Sequence, residues 1–187
     1  ILESVDRLNH LIQPMLTYLS SKQNYKFKSF NIIKTLDDIV MLSKANCKAR
    51  QIKVKMMNKM DNPMVEGDSK AIGQVFINLL SNAIDAIGDN GGEIKIELIN
   101  ESFLYEGTLI KGVRINIIDN GCGIEADSLK KIFVPYETSK SSQNNVGLGL
   151  SIVSKIIQDH SGLIKINSAV NEYTMVSIWL NSSLNKE

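Results

Sequence analysis

Cysteine is scarce in this sequence of 187 residues. Cys47 and Cys122 stand far apart, with no metal-ligand spacing around either. That excludes a disulfide framework and a zinc module, and leaves two free thiols suited to a reducing compartment. An excess of either charge is also missing. The 21 Lys and Arg residues balance 20 Asp and Glu to a formal net charge of +1, so nothing electrostatic favours nucleic acid or an anionic membrane as a partner. No apolar run approaches the ~20 residues of a membrane span, and no signal peptide opens the chain. The expectation is a cytoplasmic location with no membrane contact by these residues. No internal repeat is present either.

What is there reads as an ordinary globular protein, with 43% hydrophobic and 22% charged residues. The length holds one mid-sized domain plus an appendage. The first 22 or so residues place Leu2, Val5, Leu8, Leu11, Ile12, Met15, Leu16 and Leu19 at helical spacing, with Pro14 as a kink. Since Ile1 already stands inside that stripe, the sequence reads as a piece of something longer. A polar linker follows, and then Asn31 caps a second helix striped by Ile32, Leu36, Ile39, Val40 and Ser43.

Beyond Arg50 the period changes to two. Strands are predicted around Ile52–Met56 and at Met64 and Val65. A long helix opens at Asp68 or Ser69 and ends at Ile87 before Gly88. Two strands follow around Ile94 to Leu98 and Val113 to Ile117, with an irregular connection at residues 100–111 between them. A glycine-rich turn, a short helix near Leu129, a polar loop at 134–147 and a helix from Gly149 to about His160 come next. Strands around Ile164–Ile166 and Val176–Leu180 close the chain. The fold class is therefore α+β, a mixed sheet with helices covering one face.

Three stretches carry chemistry. On the long helix Asn78, Asn82 and Asp85 fall within about 60° of one another. They are either oxygen ligands for Mg²⁺ or the wet side of an amphipathic helix, and periodicity alone favours the wet side. Asp119-Asn120-Gly121-Cys122-Gly123-Ile124 follows a strand; its glycines permit close approach of backbone to a ligand, and its carboxylate can accept from an exocyclic amine. Gly147-Leu148-Gly149-Leu150 opens a helix, whose free amides suit phosphate. It is not a P-loop, because Leu150, followed by Ser151, stands where Lys is required. Each stretch alone is a weak signal.

Together they resemble the nucleotide-binding boxes of the ATPase superfamily that includes histidine kinases, the gyrase B subunit, mismatch-repair ATPases and a heat-shock chaperone. Asn78-Leu79-Leu80-Ser81-Asn82-Ala83 resembles the asparagine box, and Asp119 to Gly123 the first glycine box. Phe133-Val134-Pro135-Tyr136-Glu137-Thr138-Ser139-Lys140 resembles the phenylalanine box, and Gly147 to Leu150 the second glycine box. The resemblance runs from about Phe30 to Leu180 and implies a two-layer α/β sandwich, the Bergerat ATP-binding fold.

It also implies roles. Asn82 binds Mg²⁺ and Asn78 assists at the metal and phosphates, the pair being the catalytic residues. Asp119 accepts from the adenine amino group, and Gly121, Gly123, Ile124 and Thr174 line the base. Gly147, Leu148, Gly149 and Leu150 meet the phosphates, with Thr138, Lys140 and Asp85 as further ATP contacts. Two departures stand out: Asn145 replaces the first glycine of the second box, and Tyr173 replaces the glycine before Thr174.

Within the superfamily, ATP-hydrolysing members carry a glutamate four residues before the metal-binding asparagine, and the related anti-sigma-factor serine kinases also favour it. Here that position is Asn78, and an amide has no useful basicity near neutral pH. The resemblance is thus to the catalytic domain of a bacterial sensor histidine kinase. It implies a protein-histidine kinase that transfers the γ-phosphoryl group of Mg-ATP to a histidine of the dimerisation domain in two-component signal transduction. A nucleotide-binding module without kinase activity is the alternative. Residues 1–26 correspond to the second helix of the dimerisation hairpin and 27–187 to the catalytic domain.

His10 lacks an acidic residue after it, and Pro14 follows four positions on rather than five. The expectation is that no phosphoacceptor lies within this sequence. Implied partners are ATP, a response-regulator receiver domain and a second copy through the hairpin, in the cytoplasmic part of a sensor; nucleic acid is not among them. His160 reads as a plain cap at a helix C-terminus.

Overall fold

The computed structural model describes residues 24–60, 63–135 and 148–183. The predicted helix at 1–22, its Pro14 and His10 lie outside them. Helix α1 (Ile32–Ala49) starts where the Asn31 side chain accepts from the Ile33 and Lys34 amides at 3.0 and 3.1 Å. Helix α2 (Ser69–Ile87) is capped in the same way by Asp68, and ends at Gly88, whose φ of 71° only glycine adopts freely. The short α3 (Ala126–Leu129) and α4 (Gly149–Asp159) complete the helices among the described residues.

Strand β1 (Lys28–Asn31) pairs antiparallel with β3 (Met64–Gly67). The main sheet holds β2 (Ile52–Lys59), β4 (Gly92–Asn100), β7 (Gly112–Asp119), β9 (Tyr173–Asn181) and β8 (Leu163–Ala169), hydrogen-bonded in that order. Only β2 and β4 run parallel, joined through β3 and α2; the other neighbours are antiparallel. One face presents Ile94, Ile96 and Leu98 of β4, Val113, Ile115 and Ile117 of β7, and Val176, Ile178 and Leu180 of β9. All of these are buried together with the apolar stripes of α1, α2 and α4. The opposite face carries polar clusters, such as Trp179 donating to Glu101 at 2.9 Å beside Arg114. This is the expected α+β two-layer sandwich with helices on one face. No helix of the described residues is long and apolar enough to cross a membrane.

The connection at 100–111 differs from its expected irregular course. It folds into a hairpin, β5 (Phe103–Tyr105) against β6 (Thr108–Ile110). Glu106 and Gly107, with φ of 47° and 81°, form its two-residue turn, a geometry that matches strand twist. Three-residue strands are too short for alternation to be legible.

His160 is the C-cap of α4, but it does more than meet the helix terminus. It is buried, and its Nε2 accepts the Asp68 amide at 3.0 Å. Nε2 therefore bears no proton, and Nδ1–H donates to the Ile156 carbonyl at 2.7 Å. The ring stacks on Phe27 at 4.7 Å and meets Tyr25 edge-on at 4.9 Å. The Tyr25 hydroxyl donates to Asp159 at 3.2 Å, and the Lys26 amide to Asp68 at 2.8 Å. Burial, reinforced by the Asp159 carboxylate, pushes the Tyr25 phenol pKa up. Residues 25–27 are thus fastened where α2 begins and α4 ends.

Burial pushes the His160 pKa below its ordinary value, outweighing the Ile156 bond and the Asp68 and Asp159 charges. The unfolded chain then binds more protons than the folded one below about pH 6.5, so stability present at neutral pH is lost as pH falls through that window. The thermal midpoint is expected to drop between pH 7 and 5, with a one-proton slope of at most about 1.4 kcal/mol per pH unit. In His160→Gln the slope should flatten; parallel pH profiles for the two proteins would exclude His160 as its source.

Candidate functional site

Helix α2 places Asn78, Asn82 and Asp85 half-buried along one side, while Ile72, Phe76, Leu79 and Ala83 fill the core opposite. This side is not simply wet. The Asn78 Oδ1 accepts from Gln74 at 3.1 Å, and its Nδ2 donates to the Gly149 carbonyl at 3.5 Å, on the first turn of α4. The asparagine-bearing helix and the second glycine box are therefore neighbours. Asp85 is engaged elsewhere: Arg50 reaches its carboxylate at 3.2 Å and the Ile84 carbonyl at 3.3 Å. Arg50 also pairs with Asp89 at 3.6 Å, so one guanidinium offsets the negative end of α2. Sequence reasoning passed over Arg50, which showed only as the residue before a change of period.

Side-chain alternation puts Asp119 and Thr174 on the helix-covered face, directly opposite each other at the ends of β7 and β9. Both are buried. The Asp119 Oδ1 accepts from the Gly121 amide at 3.0 Å, which closes the turn. A Cβ on Gly121 would stand 2.6 Å from the Ala86 carbonyl carbon. One on Gly123, whose φ is 68°, would overlap the Ala169 carbonyl oxygen.

The Cys122 amide donates to Ala86 at 3.0 Å, and the Asn171 amide to the Cys122 carbonyl at 2.8 Å. The turn is thus wedged between the C-terminus of α2 and the β8–β9 turn, and its glycines serve close passage of protein backbone. Ser168 was another residue missed. Its Oγ accepts the Ile124 amide at 2.9 Å and lies 3.0 Å from the Thr174 Oγ1. Tyr173, the departure before Thr174, has its side chain on the opposite face of the sheet and partly exposed, so it does not fill the space beside Asp119 and Thr174.

Leu148 is buried and precedes α4 with no side-chain cap. The amides at the start of an α-helix lack intrahelical partners, so those at the head of α4 can meet an anion. Leu150 packs against the core, and among the described residues nothing lies within 4 Å of where a Gly149 Cβ would stand. Thr138, Lys140, Asn145 and Gly147 lie outside the described residues, as does the predicted polar loop beyond Pro135. Among the described residues no cluster of His, Cys, Asp and Glu could hold a metal. The side-chain oxygens of Asn78 and Asn82, one turn apart on α2, with Asn78 at the head of α4, suit a hard cation that takes most of its ligands from phosphate and water.

Residues 67–184 match the family model of histidine kinase-, DNA gyrase B-, and HSP90-like ATPases. The sensor histidine kinase ZraS of Escherichia coli K12 is 28% identical over 185 residues, which are 99% of this chain and 37% of ZraS. The chain thus spans less than two fifths of the length of that relative. Its fold superposes on the catalytic domain of the histidine kinase ThkA with a TM-score of 0.70 and 32% identity, covering 84% of this chain and 96% of that one. ThkA in complex with the response regulator TrrA matches at 0.75 and 28%, covering 99% and 50%.

The two glycine boxes should respond differently to a methyl group. Gly123→Ala is expected to cost more than about 2 kcal/mol, through backbone overlap and a positive φ. Gly149→Ala should stay within about 1 kcal/mol of the parent or gain slightly, since the position is helical and uncrowded among the described residues. Denaturant midpoints measure both, and equal effects would contradict the packing described here.

Proposed function

This chain belongs to the histidine kinase-, DNA gyrase B-, and HSP90-like ATPase family as a histidine kinase catalytic domain, and from that premise we propose that it binds Mg-ATP and passes the γ-phosphoryl group to a histidine of a dimerisation hairpin. The observation that carries this reading is the contact of Asn78 with Gly149, beside the buried Asp119 under the same helix. It joins the asparagine box to the head of α4, and leaves a carboxylate one strand-end away for the base.

In this reading Asp119 and Thr174 receive the purine, while Gly121, Gly123 and Ile124 form its wall. Asp119 accepts hydrogen bonds and gives none, which suits an exocyclic amine. The amides at the start of α4, with Leu148, Gly149 and Leu150, receive phosphate oxygens through the positive end of the helix. Asn82 and Asn78 hold Mg²⁺, which when bound neutralises charge on the phosphates. Asp85, tied to Arg50, braces the end of α2 and so keeps Asn82 in register. Thr138, Lys140 and Gly147 add contacts from the segment before α4.

No base for water stands at position 78, so the domain's work is positioning, and the acceptor imidazole is itself the nucleophile. The ThkA–TrrA complex supports a response-regulator receiver domain as the next partner, and the hairpin would join two copies of the full protein. The nucleotide-binding module without kinase activity drew on Tyr173 and Asn145. The far-face position of the Tyr173 side chain removes the first of those grounds.

Asn82→Ala should abolish Mg²⁺-dependent ATP binding by calorimetry with the melting temperature unchanged; undiminished Mg-ATP affinity would remove Asn82 from the metal. With radiolabelled ATP, label should pass to a hairpin supplied in trans that carries a histidine with an acidic neighbour. None should appear on His10. Rapid release of inorganic phosphate would overturn the kinase reading.

A further inference from the structure

Ser168 makes a set of hydrogen bonds whose directions follow from the partners. The Tyr173 carbonyl can only accept, so Ser168 gives it its single hydroxyl proton, at 2.7 Å. The Ile124 amide can only donate, and Ser168 accepts from it at 2.9 Å. Having no proton left, Ser168 must also accept from the Thr174 hydroxyl, at 3.0 Å. The Thr174 proton is thereby committed to Ser168, and only lone pairs remain on Thr174 Oγ1 for anything else. Directly across the β7–β9 ladder stands Asp119, whose carboxylate likewise takes hydrogens and gives none.

We propose that Ser168 is a specificity-determining positioning residue: by holding the Thr174 hydroxyl as an acceptor it makes the Asp119–Thr174 side-chain pair acceptor-only, which matches the 6-amino group of a purine and offers no donor to a 6-oxo group. This rests on the ATP-binding reading above and adds to it the source of base choice. A lone Asp119 does not secure that choice, because a neighbouring hydroxyl free to rotate would donate to a 6-oxo group and supply the bond a guanine needs. A threonine is ambivalent by nature; Ser168, Tyr173 and Ile124 remove the ambivalence. The same hydroxyl ties the end of the glycine turn to β8, so the wall of the base site and the polarity of its floor are set by one side chain. The discrimination requires direct contact with the base, since a bridging water can donate to either purine.

The test measures ATP and GTP affinities of the whole chain by calorimetry, with melting temperature as a folding control. The parent should prefer ATP. Ser168→Ala should lower the ATP-to-GTP preference about tenfold, the size of one neutral hydrogen bond, chiefly by strengthening GTP binding. Ser168→Thr, which keeps the hydroxyl, should restore the preference. In a Thr174→Val background Ser168→Ala should leave the ratio where Thr174→Val put it, since no hydroxyl is left to orient. A purely structural role would instead weaken both nucleotides equally and leave the ratio alone, and that result overturns the proposal while the ATP-binding reading stands. Failure of the parent to bind ATP would overturn both.

Discussion

Much of this molecule follows from how closely helix α2 lies upon the end of the sheet. The turn after β7 passes so near Ala86 that a side chain at Gly121 has no room, and the Cys122 amide is bonded to the same residue's carbonyl. Backbone contact at that range holds the turn like a strand pairing, without help from side-chain packing. It places Asp119, the last residue of β7, under the helix and out of bulk water. On the same helix Asn78 meets the head of α4. Loosening the contact at Ala86 would part the glycine turn from the helix that bears the asparagines.

The ends of the two site helices are tied by different chemistry. Asp68 caps the start of α2 through its side chain, while its amide is held by the neutral imidazole of His160, the C-cap of α4. Arg50 closes the other end of α2. The start of α4, by contrast, has no side-chain cap. The first amides of a helix have no intrahelical partners and sit at its positive end, so a start without a side-chain cap suits phosphate. Residues 25–27, on the path from the predicted N-terminal helix, dock at the well-tied ends rather than at the open one.

Several elements were legible before any fold was known, because their signals are local. Asn31 and Asp68 were readable as caps, since a short polar side chain before an apolar stripe has few other uses. Alternating aliphatic residues identified β4, β7 and β9. The asparagine and glycine boxes were readable as a set, in order and spacing. The hairpin at 103–110 was not, for strands of three residues are too short to show an alternation. Arg50 and Ser168 were not legible either, since an arginine after a helix and a serine in a strand are unremarkable until their partners at 84–85, 124 and 174 are brought beside them.

The sequence by itself determined which residues could be polar on an apolar scaffold, and hence the fold class and the family. Periodicity and capping are properties of neighbours along the chain, and box motifs are read in the same dimension. Only the tertiary structure decided what the glycines at 121 and 123 make room for, which face Tyr173 takes, and that Asp85 is spoken for by Arg50. It alone decided the protonation of His160 and the direction of the Thr174 hydroxyl. Those are outcomes of burial and of which donor meets which acceptor across the sheet, and a hydrogen bond between residues distant in sequence leaves no mark on the spacing of either.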